Sequence, residues 1–232
     1  MEVTGYFGEV TPPERWSISY GEYRLVFEPL NAHEIVYRRV RRGQIERELL
    51  VALGANRLLV LPIAPMPGPI DTGLLMLRLR PPIALGEGAK LSITVRIPLG
   101  VGVFLGDRRL DAFSLAPPKY AVYGSPMDGA LCRYIELDLR GEERSSLEGY
   151  AELRFVNNVG SPVRVSRIVV PSEGLWPYMD LEGEVYFAGV AFNAVDERSA
   201  EVVGGLEPPA PSTRPVLGKK PRITTFVMRY GY

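Results

Sequence analysis

The chain has 232 residues, of which 46% are hydrophobic, and its 27 Lys and Arg residues balance 27 Asp and Glu residues. This hydrophobic fraction excludes a disordered protein, and a chain of this length buries roughly 70–75% of its unfolded surface, so no disulfide or metal is needed for folding. Zero net charge argues against a polybasic nucleic-acid binder, and we expect no nucleic-acid partner.

Residue usage narrows the class further. The chain contains 24 Gly, 21 Pro, 23 Arg, four Lys and one Gln. Few Gln and Cys with many prolines are typical of a protein from a hot environment, although base composition of the genome would also favour Arg over Lys. A single His (His33) and a single Cys (Cys132) exclude a His/Cys metal cage within one chain, and we expect no metal and no cofactor.

The chain carries no sign of export or membrane insertion. Its first ten residues lack a basic start followed by an apolar run. The most apolar stretch, residues 58–70, contains four prolines and is too short to cross a bilayer. We therefore expect a cytoplasmic protein without a transmembrane segment.

Alternation of apolar and polar residues predicts short strands along the whole chain. The clearest run is 90–97, where Leu91, Ile93, Val95 and Ile97 share one face. In chain order the predicted strands span residues 17–28, 34–42, 57–61, 75–80, 90–97, 131–139, 148–156, 163–170, 184–192, 200–206 and 223–230. Turn residues separate them, so we predict an all-β protein with little helix, an antiparallel β-sandwich built as one unit or as two closely packed sandwich halves.

Residues 44–53 fit either of two structures. Ile45, Leu49 and Leu53 share a helical face, and Gly54 is placed to end a helix. The Arg42-Gly43 turn directly before this segment favours a β-hairpin instead, and we predict the hairpin.

The end of the chain differs in composition from the body. Residues 1–203 contain no strong linker and are predicted to form the sandwich body, whereas residues 204–221 hold five prolines and three glycines and are predicted to be extended. Residues 222–232 follow as a terminal strand, which pairs with its own sheet or with that of a partner. If the strand pairs with a partner, the protein forms a homodimer, through a sheet edge or through residues 223–230.

One basic cluster suggests an anion-binding patch. It consists of Arg38, Arg39, Arg41 and Arg42. In the predicted hairpin, Glu46 and Glu48 lie opposite these arginines, so a ladder of cross-strand ion pairs is the alternative.

A second candidate site surrounds an inward-facing arginine. Arg133 lies on the apolar face of the predicted strand 131–139, and a buried guanidinium needs a carboxylate or a wet cleft. We predict a polar pocket in which Lys119, Tyr123 and Arg133 meet Asp107 or Asp111. A structural buried ion pair with tyrosine packing is the alternative.

Loop aromatics form a third candidate. Trp16, Trp176 and Tyr178 are of the type that stacks on sugars in carbohydrate-binding modules. The alternative is an aromatic plug that closes one end of the sandwich.

Several motifs together resemble an archaeal family of domains of unknown function. They are Leu61-Pro62-Ile63-Ala64-Pro65, Ile97-Pro98 with Val101-Gly102-Val103, Phe113-Ser114-Leu115, and Pro118-Lys119-Tyr120-Ala121-Val122-Tyr123-Gly124 with Cys132-Arg133-Tyr134. The resemblance covers the chain roughly from Tyr20 to Phe192. It implies an archaeal, cytoplasmic, β-rich protein and transfers no catalytic residue.

These observations favour a non-catalytic binding or assembly protein whose partner is a protein or a small polar ligand. One alternative is a hydrolase of sugar or phosphate esters that uses carboxylates near Arg133 and Lys119. Another is a carbohydrate-binding module that uses Trp176 and Tyr178. An acid with a strongly shifted pKa in an open cleft beside Arg133 would favour the enzyme, and a filled, dry interior there would favour the binding protein.

Overall fold

The fold was derived from a computed structural model of the chain. The structure describes residues 2–11, 15–125, 127–140, 147–210, 213–218 and 221–232.

Nearly all regular structure in the described residues is β-strand. The first eleven strands are β1 (Glu2–Thr4), β2 (Gly8–Val10), β3 (Trp16–Tyr20), β4 (Tyr23–Pro29), β5 (Glu34–Arg41), β6 (Gln44–Ala52), β7 (Leu58–Ile63), β8 (Leu74–Leu85), β9 (Lys90–Pro98), β10 (Gly100–Leu105) and β11 (Arg108–Ser114). The remaining strands are β12 (Tyr120–Tyr123), β13 (Ala130–Asp138), β14 (Glu148–Asn157), β15 (Val163–Pro171), β16 (Pro177–Met179), β17 (Val185–Phe187), β18 (Gly189–Ala194), β19 (Ala200–Leu206), β20 (Arg214–Pro215) and β21 (Thr224–Met228). Two single turns of 3-10 helix, Ser172–Gly174 and Val216–Gly218, complete the list.

The N-terminal half is built from two sheets. One has the strand order β1-β3-β4-β5-β6, and the other has the order β11-β10-β7-β2. Their inner faces share one hydrophobic core that contains Ile18, Phe27 and Tyr37 from the first sheet and Val60 and Val103 from the second. The period-two pattern puts alternate side chains on this inner face.

The other half of the fold consists of β8, β9 and the strands from β12 onwards, which form two further sheets. One has the order β12-β13-β8-β15, and the larger one has the order β20-β16-β17-β14-β18-β19-β21, with β9 on the other side of β14. A second core lies between them and includes Leu77, Ile135, Phe155, Ile168 and Phe192.

The two halves are in contact. Phe7 and Leu115 each pack against both cores. Most strand pairs are antiparallel, whereas β1 with β3, β8 with β13, and β14 with β17 and β18 are parallel. The predicted all-β, sandwich-like fold is therefore confirmed.

The predicted hairpin at residues 44–53 is also confirmed. β5 and β6 are antiparallel partners, and the two residues that join them, Arg42 and Gly43, both have positive φ angles of 48° and 81°. Two consecutive positive φ values define the tight turn that matches the twist of a hairpin.

The C-terminal strand lies within its own molecule. β21 forms an antiparallel ladder with β19, from Ala200 opposite Met228 to Gly204 opposite Thr224. The proline-rich connection before it contains β20, and its residues 211, 212, 219 and 220 lie outside the described part of the chain. Within the described ranges, no helix has the length and apolar character that a bilayer crossing requires.

Candidate functional site

Arg133, the centre of the predicted polar pocket, is completely buried. Its guanidinium donates to the carbonyls of Ala116 (3.0 Å), Pro65 (3.2 Å) and Lys119 (3.4 Å) and to the Ser114 hydroxyl (3.3 Å). The Tyr120 ring lies 5.5 Å from the guanidinium carbon. Burial lowers the pKa of Arg133, because the charged form has lost its hydration.

This arrangement differs from the expectation that an inward arginine meets a carboxylate or a wet cleft. Carbonyl dipoles, a hydroxyl group and an aromatic face take the place of the counter-charge. The carbonyls belong to the chain segments that leave β7 and β11, whereas Arg133 lies on β13. Arg133 therefore ties the two halves together.

The other residues of the predicted pocket have different surroundings. Lys119 is exposed and meets Arg133 only through its carbonyl, and Asp107 lies in the turn between β10 and β11. The Asp111 carboxylate accepts from the Tyr37 hydroxyl (2.7 Å) and pairs with Arg39 (2.9 Å). Tyr123 contacts the end of the chain, as described below. The structure therefore brings Lys119 and Arg133 together and gives Asp111 and Tyr123 other partners.

Each arginine of the basic cluster is ion-paired. Arg38 binds Glu48 (2.5 Å) and Glu28 (2.7 Å). Arg39 binds Asp111 and Glu46. Arg41 and Arg42 both bind Glu22. Ion pairs therefore neutralise this cluster, and the predicted cross-strand partners Glu46 and Glu48 supply only part of them.

The three aromatic residues are largely covered by protein. Trp16 is 8% exposed and packs on Tyr6, with ring centroids 5.3 Å apart. Tyr178 is 9% exposed within β16. Trp176 is half-buried, and its indole nitrogen is buried without a hydrogen-bond partner among the described residues. Neither Trp16 nor Tyr178 offers a free ring face.

A cleft of about 400 Å³ lies where the end of β12, the middle of β15 and the chain after β21 meet. We call it the arginine cleft. It is lined by Arg167, Arg198, Arg229, Tyr230, Val122, Gly124, Ser125 and Gly231. Three of these described lining residues are arginines and none is acidic, whereas the Asp128 carboxylate accepts from the lining residues Ser125 and Tyr230.

Arg167 lines the arginine cleft from β15. It follows an irregularity in the pairing of β15 with β8, between Val165 and Arg167, and such a bulge redirects the side chains beside it. Its guanidinium donates to the Tyr230 carbonyl (3.0 Å) and lies 5.5 Å from the Tyr123 ring centroid. Its Nε is buried and has no hydrogen-bond partner among the described residues, which leaves one donor unused.

Arg198 and Arg229 supply two exposed charges of the arginine cleft. Both side chains are exposed, and neither is paired with a carboxylate of the described residues. Arg198 lies in the turn between β18 and β19, where the Asp196 carboxylate accepts the N–H groups of Arg198 (2.8 Å) and Ser199 (2.7 Å). These bonds lower the pKa of Asp196 and commit its carboxylate to the turn.

Tyr230 forms one wall of the arginine cleft. Its N–H donates to the Tyr123 hydroxyl (3.0 Å), and the Tyr123 hydroxyl donates to the Gly231 carbonyl (3.0 Å). The Tyr230 hydroxyl donates to Asp128 (2.9 Å). Hydrogen bonds from the Ser125 hydroxyl, which has the larger effect, and from Tyr230 lower the pKa of Asp128. A β-carbon on Gly124, which has φ +116°, would lie 3.1 Å from Tyr230 Cε2. Only glycine therefore lets the ring approach this turn without strain.

The arginine cleft has the chemistry of an anion site. Guanidinium groups bind phosphate and carboxylate with charge-assisted hydrogen bonds. Local sequence patterns do not predict this site, because Arg167, Arg198 and Arg229 lie on three separate segments that only the tertiary fold brings together. No group of three or more His, Cys, Asp or Glu side chains suited to a metal ion occurs among the residues that the structure describes.

Comparison of the chain with curated proteins and with solved structures produced no match. A family model described as protein of unknown function (DUF432) matches residues 6–229. This match spans nearly the whole chain, including both sandwich halves and all three arginines of the cleft. The chain therefore belongs to the DUF432 family.

Proposed function

We propose that this chain is a non-catalytic binding protein whose arginine cleft binds an anionic group of its ligand. The observation that carries the proposal is the convergence of Arg167, Arg198 and Arg229 on one cleft whose described lining is free of acids. Like charges brought together repel each other, so an anion that bridges them relieves a cost that the empty site carries.

The surroundings of Arg133 support binding rather than hydrolysis. The hydrolase alternative needs an acid in an open cleft beside Arg133 and Lys119. Arg133 is instead enclosed by carbonyls, a hydroxyl group and the Tyr120 ring. A dry interior of this kind favours a structural role for Arg133 and moves the candidate site to the arginine cleft.

The burial of the aromatic residues weighs against the carbohydrate-binding alternative. Stacking on a sugar requires an exposed ring face, and Trp16 and Tyr178 are both more than nine-tenths covered. Composition supports one finer part of the proposal, adaptation to heat, through the scarce Gln and Cys and the abundant prolines.

Calorimetric titration with inorganic tripolyphosphate at low salt tests the function. We expect saturable binding by the natural chain and at least about tenfold weaker binding by the double variant Arg198→Ser/Arg229→Ser, because two of the three charges facing the anion are lost.

Two control variants lose the same charge elsewhere. Arg108→Ser/Arg109→Ser alters exposed arginines of β11, and Arg41→Ser/Arg42→Ser alters the ion-paired hairpin. Both should bind like the natural chain. Absence of binding by the natural chain, or equal weakening in all three variants, would overturn the proposal.

A further inference from the structure

Beside its arginines, the arginine cleft has an apolar and aromatic side. Val122 is 51% exposed, and Tyr230 is 46% exposed although its backbone and hydroxyl are both held by hydrogen bonds. An exposed aromatic ring that is fixed in place loses little freedom when a ligand stacks on it.

The size of the arginine cleft also exceeds that of a simple anion. Its volume of about 400 Å³ lies in the range of pockets that take small organic ligands. An inorganic phosphate would occupy the arginine side only and would leave Val122 and Tyr230 uncovered. A ligand with a second, apolar or planar part would cover these two residues as well.

We infer that the ligand of the arginine cleft is a nucleoside phosphate, with its phosphates on Arg167, Arg198 and Arg229 and its base against Tyr230 and Val122. This inference rests on the proposed function. Three guanidinium groups match the charge of a diphosphate or triphosphate. Planar bases stack on aromatic rings. A base therefore binds an immobile ring such as that of Tyr230 more favourably than a flexible apolar chain would.

Two substitutions at Tyr230 separate the contribution of the aromatic ring from that of the hydroxyl group. Tyr230→Phe keeps the ring and loses the bond to Asp128, whereas Tyr230→Leu keeps an apolar side chain and loses the ring. The bonds that hold the backbone of residue 230 come from Tyr123 and Arg167, so both variants keep that anchor.

The test compares the binding of ADP, pyrophosphate, ribose 5-phosphate and adenosine by calorimetry. We expect ADP to bind about tenfold more tightly than pyrophosphate, which corresponds to one stacked base. Ribose 5-phosphate, which has no base, and adenosine, which has no phosphate, should both bind more weakly than ADP. Tyr230→Leu should remove the advantage of ADP and leave pyrophosphate binding within about twofold, and Tyr230→Phe should retain the advantage.

The outcomes separate the two proposals. Equal affinity for ADP and pyrophosphate, or an ADP advantage that survives Tyr230→Leu, overturns the nucleotide inference and leaves anion binding standing. If neither ADP nor pyrophosphate binds, the proposed function is overturned as well. An RNA decamer that binds more tightly than ADP also overturns the inference, since it would make the ligand a polymer.

Discussion

At the scale of single residues, the most informative side chain is Arg133, a fully buried cation held by carbonyls. The carbonyls of Pro65, Ala116 and Lys119 lie in the connections that follow β7 and β11, and all three accept from Arg133 at the junction between the two halves. One planar side chain with five donors satisfies several of them at once. Arg133 is thus needed for its geometry as much as for its charge.

We predict that Arg133→Met lowers the free energy of unfolding by about 3 kcal/mol, because it leaves buried carbonyls without donors. Arg133→Lys should recover only part of this loss, since an ammonium group cannot reach all four acceptors. Urea denaturation followed by circular dichroism measures the change. Arg164→Met, an exposed position on the same sheet, is the matched control and should change stability little. Equal stability of the Arg133 and Arg164 variants would contradict the role assigned to Arg133.

At the scale of elements, the β5–β6 hairpin joins the second sheet of its half through one acid. Asp111 on β11 pairs with Arg39 and accepts from Tyr37, and the side chains of Asp111 and Arg39 are only 8% and 15% exposed. Burial and the neighbouring carboxylate together raise the pKa of Tyr37, so its hydroxyl remains a donor to Asp111. The hairpin's other ion pairs are more exposed and are screened by water.

We predict that Asp111→Asn destabilises the protein by about 2 kcal/mol, because the shielded Arg39 loses its closest counter-charge. Glu22→Gln, which removes the exposed partner of Arg41 and Arg42, should have a much smaller effect. Thermal unfolding of both variants at low and high salt distinguishes them. If the two variants lose the same stability, or if salt abolishes the Asp111 effect, the link between the hairpin and β11 is not buried as described.

The alternation of apolar and polar residues located a strand correctly where a predicted run holds a single strand with one buried face. Run 17–28 instead contains two strands, since Gly21 with φ +57° turns the chain between β3 and β4. Run 184–192 likewise divides at Ala188, and its two parts β17 and β18 pair with different stretches of β14. Alternation reports burial, and it continues across a tight turn without a break.

The arginine cleft was not predictable for a different reason. Two of its arginines lie in or beside regular strands, where an exposed arginine is ordinary, and the third lies in a turn. What makes them a site is the pairing of β21 with β19 and the packing of the residues after β21 on Tyr123. These are contacts between distant parts of the sequence, which local patterns do not contain.

At the scale of the whole molecule, the C-terminal residues complete both the second core and the arginine cleft. Met228 is fully buried, and the Tyr232 ring packs on Phe192 with centroids 5.1 Å apart. Arg229 and Tyr230 lie between these two contacts. The same short segment therefore supports the fold and supplies two walls of the site.

We predict that deletion of residues 223–232 lowers the thermal midpoint by several degrees and abolishes tripolyphosphate binding, because β19 loses its neighbour and the cleft loses Arg229 and Tyr230. Light scattering should give the mass of one chain, 25.7 kDa, since β21 pairs within the molecule. A mass of two chains that falls to one after the deletion would instead support the homodimer with exchanged terminal strands.

The single cysteine of the chain, Cys132, offers a way to measure changes in the stability of the fold. Cys132 is completely enclosed beside Arg133, and burial raises its pKa to about 11, so it stays protonated and unreactive in the native protein. Alkylation of this thiol requires the core between the sheet of β13 and the sheet of β14 to open. The rate of alkylation therefore reports how often the half that contains β13 opens, and mass spectrometry measures this rate without an added label.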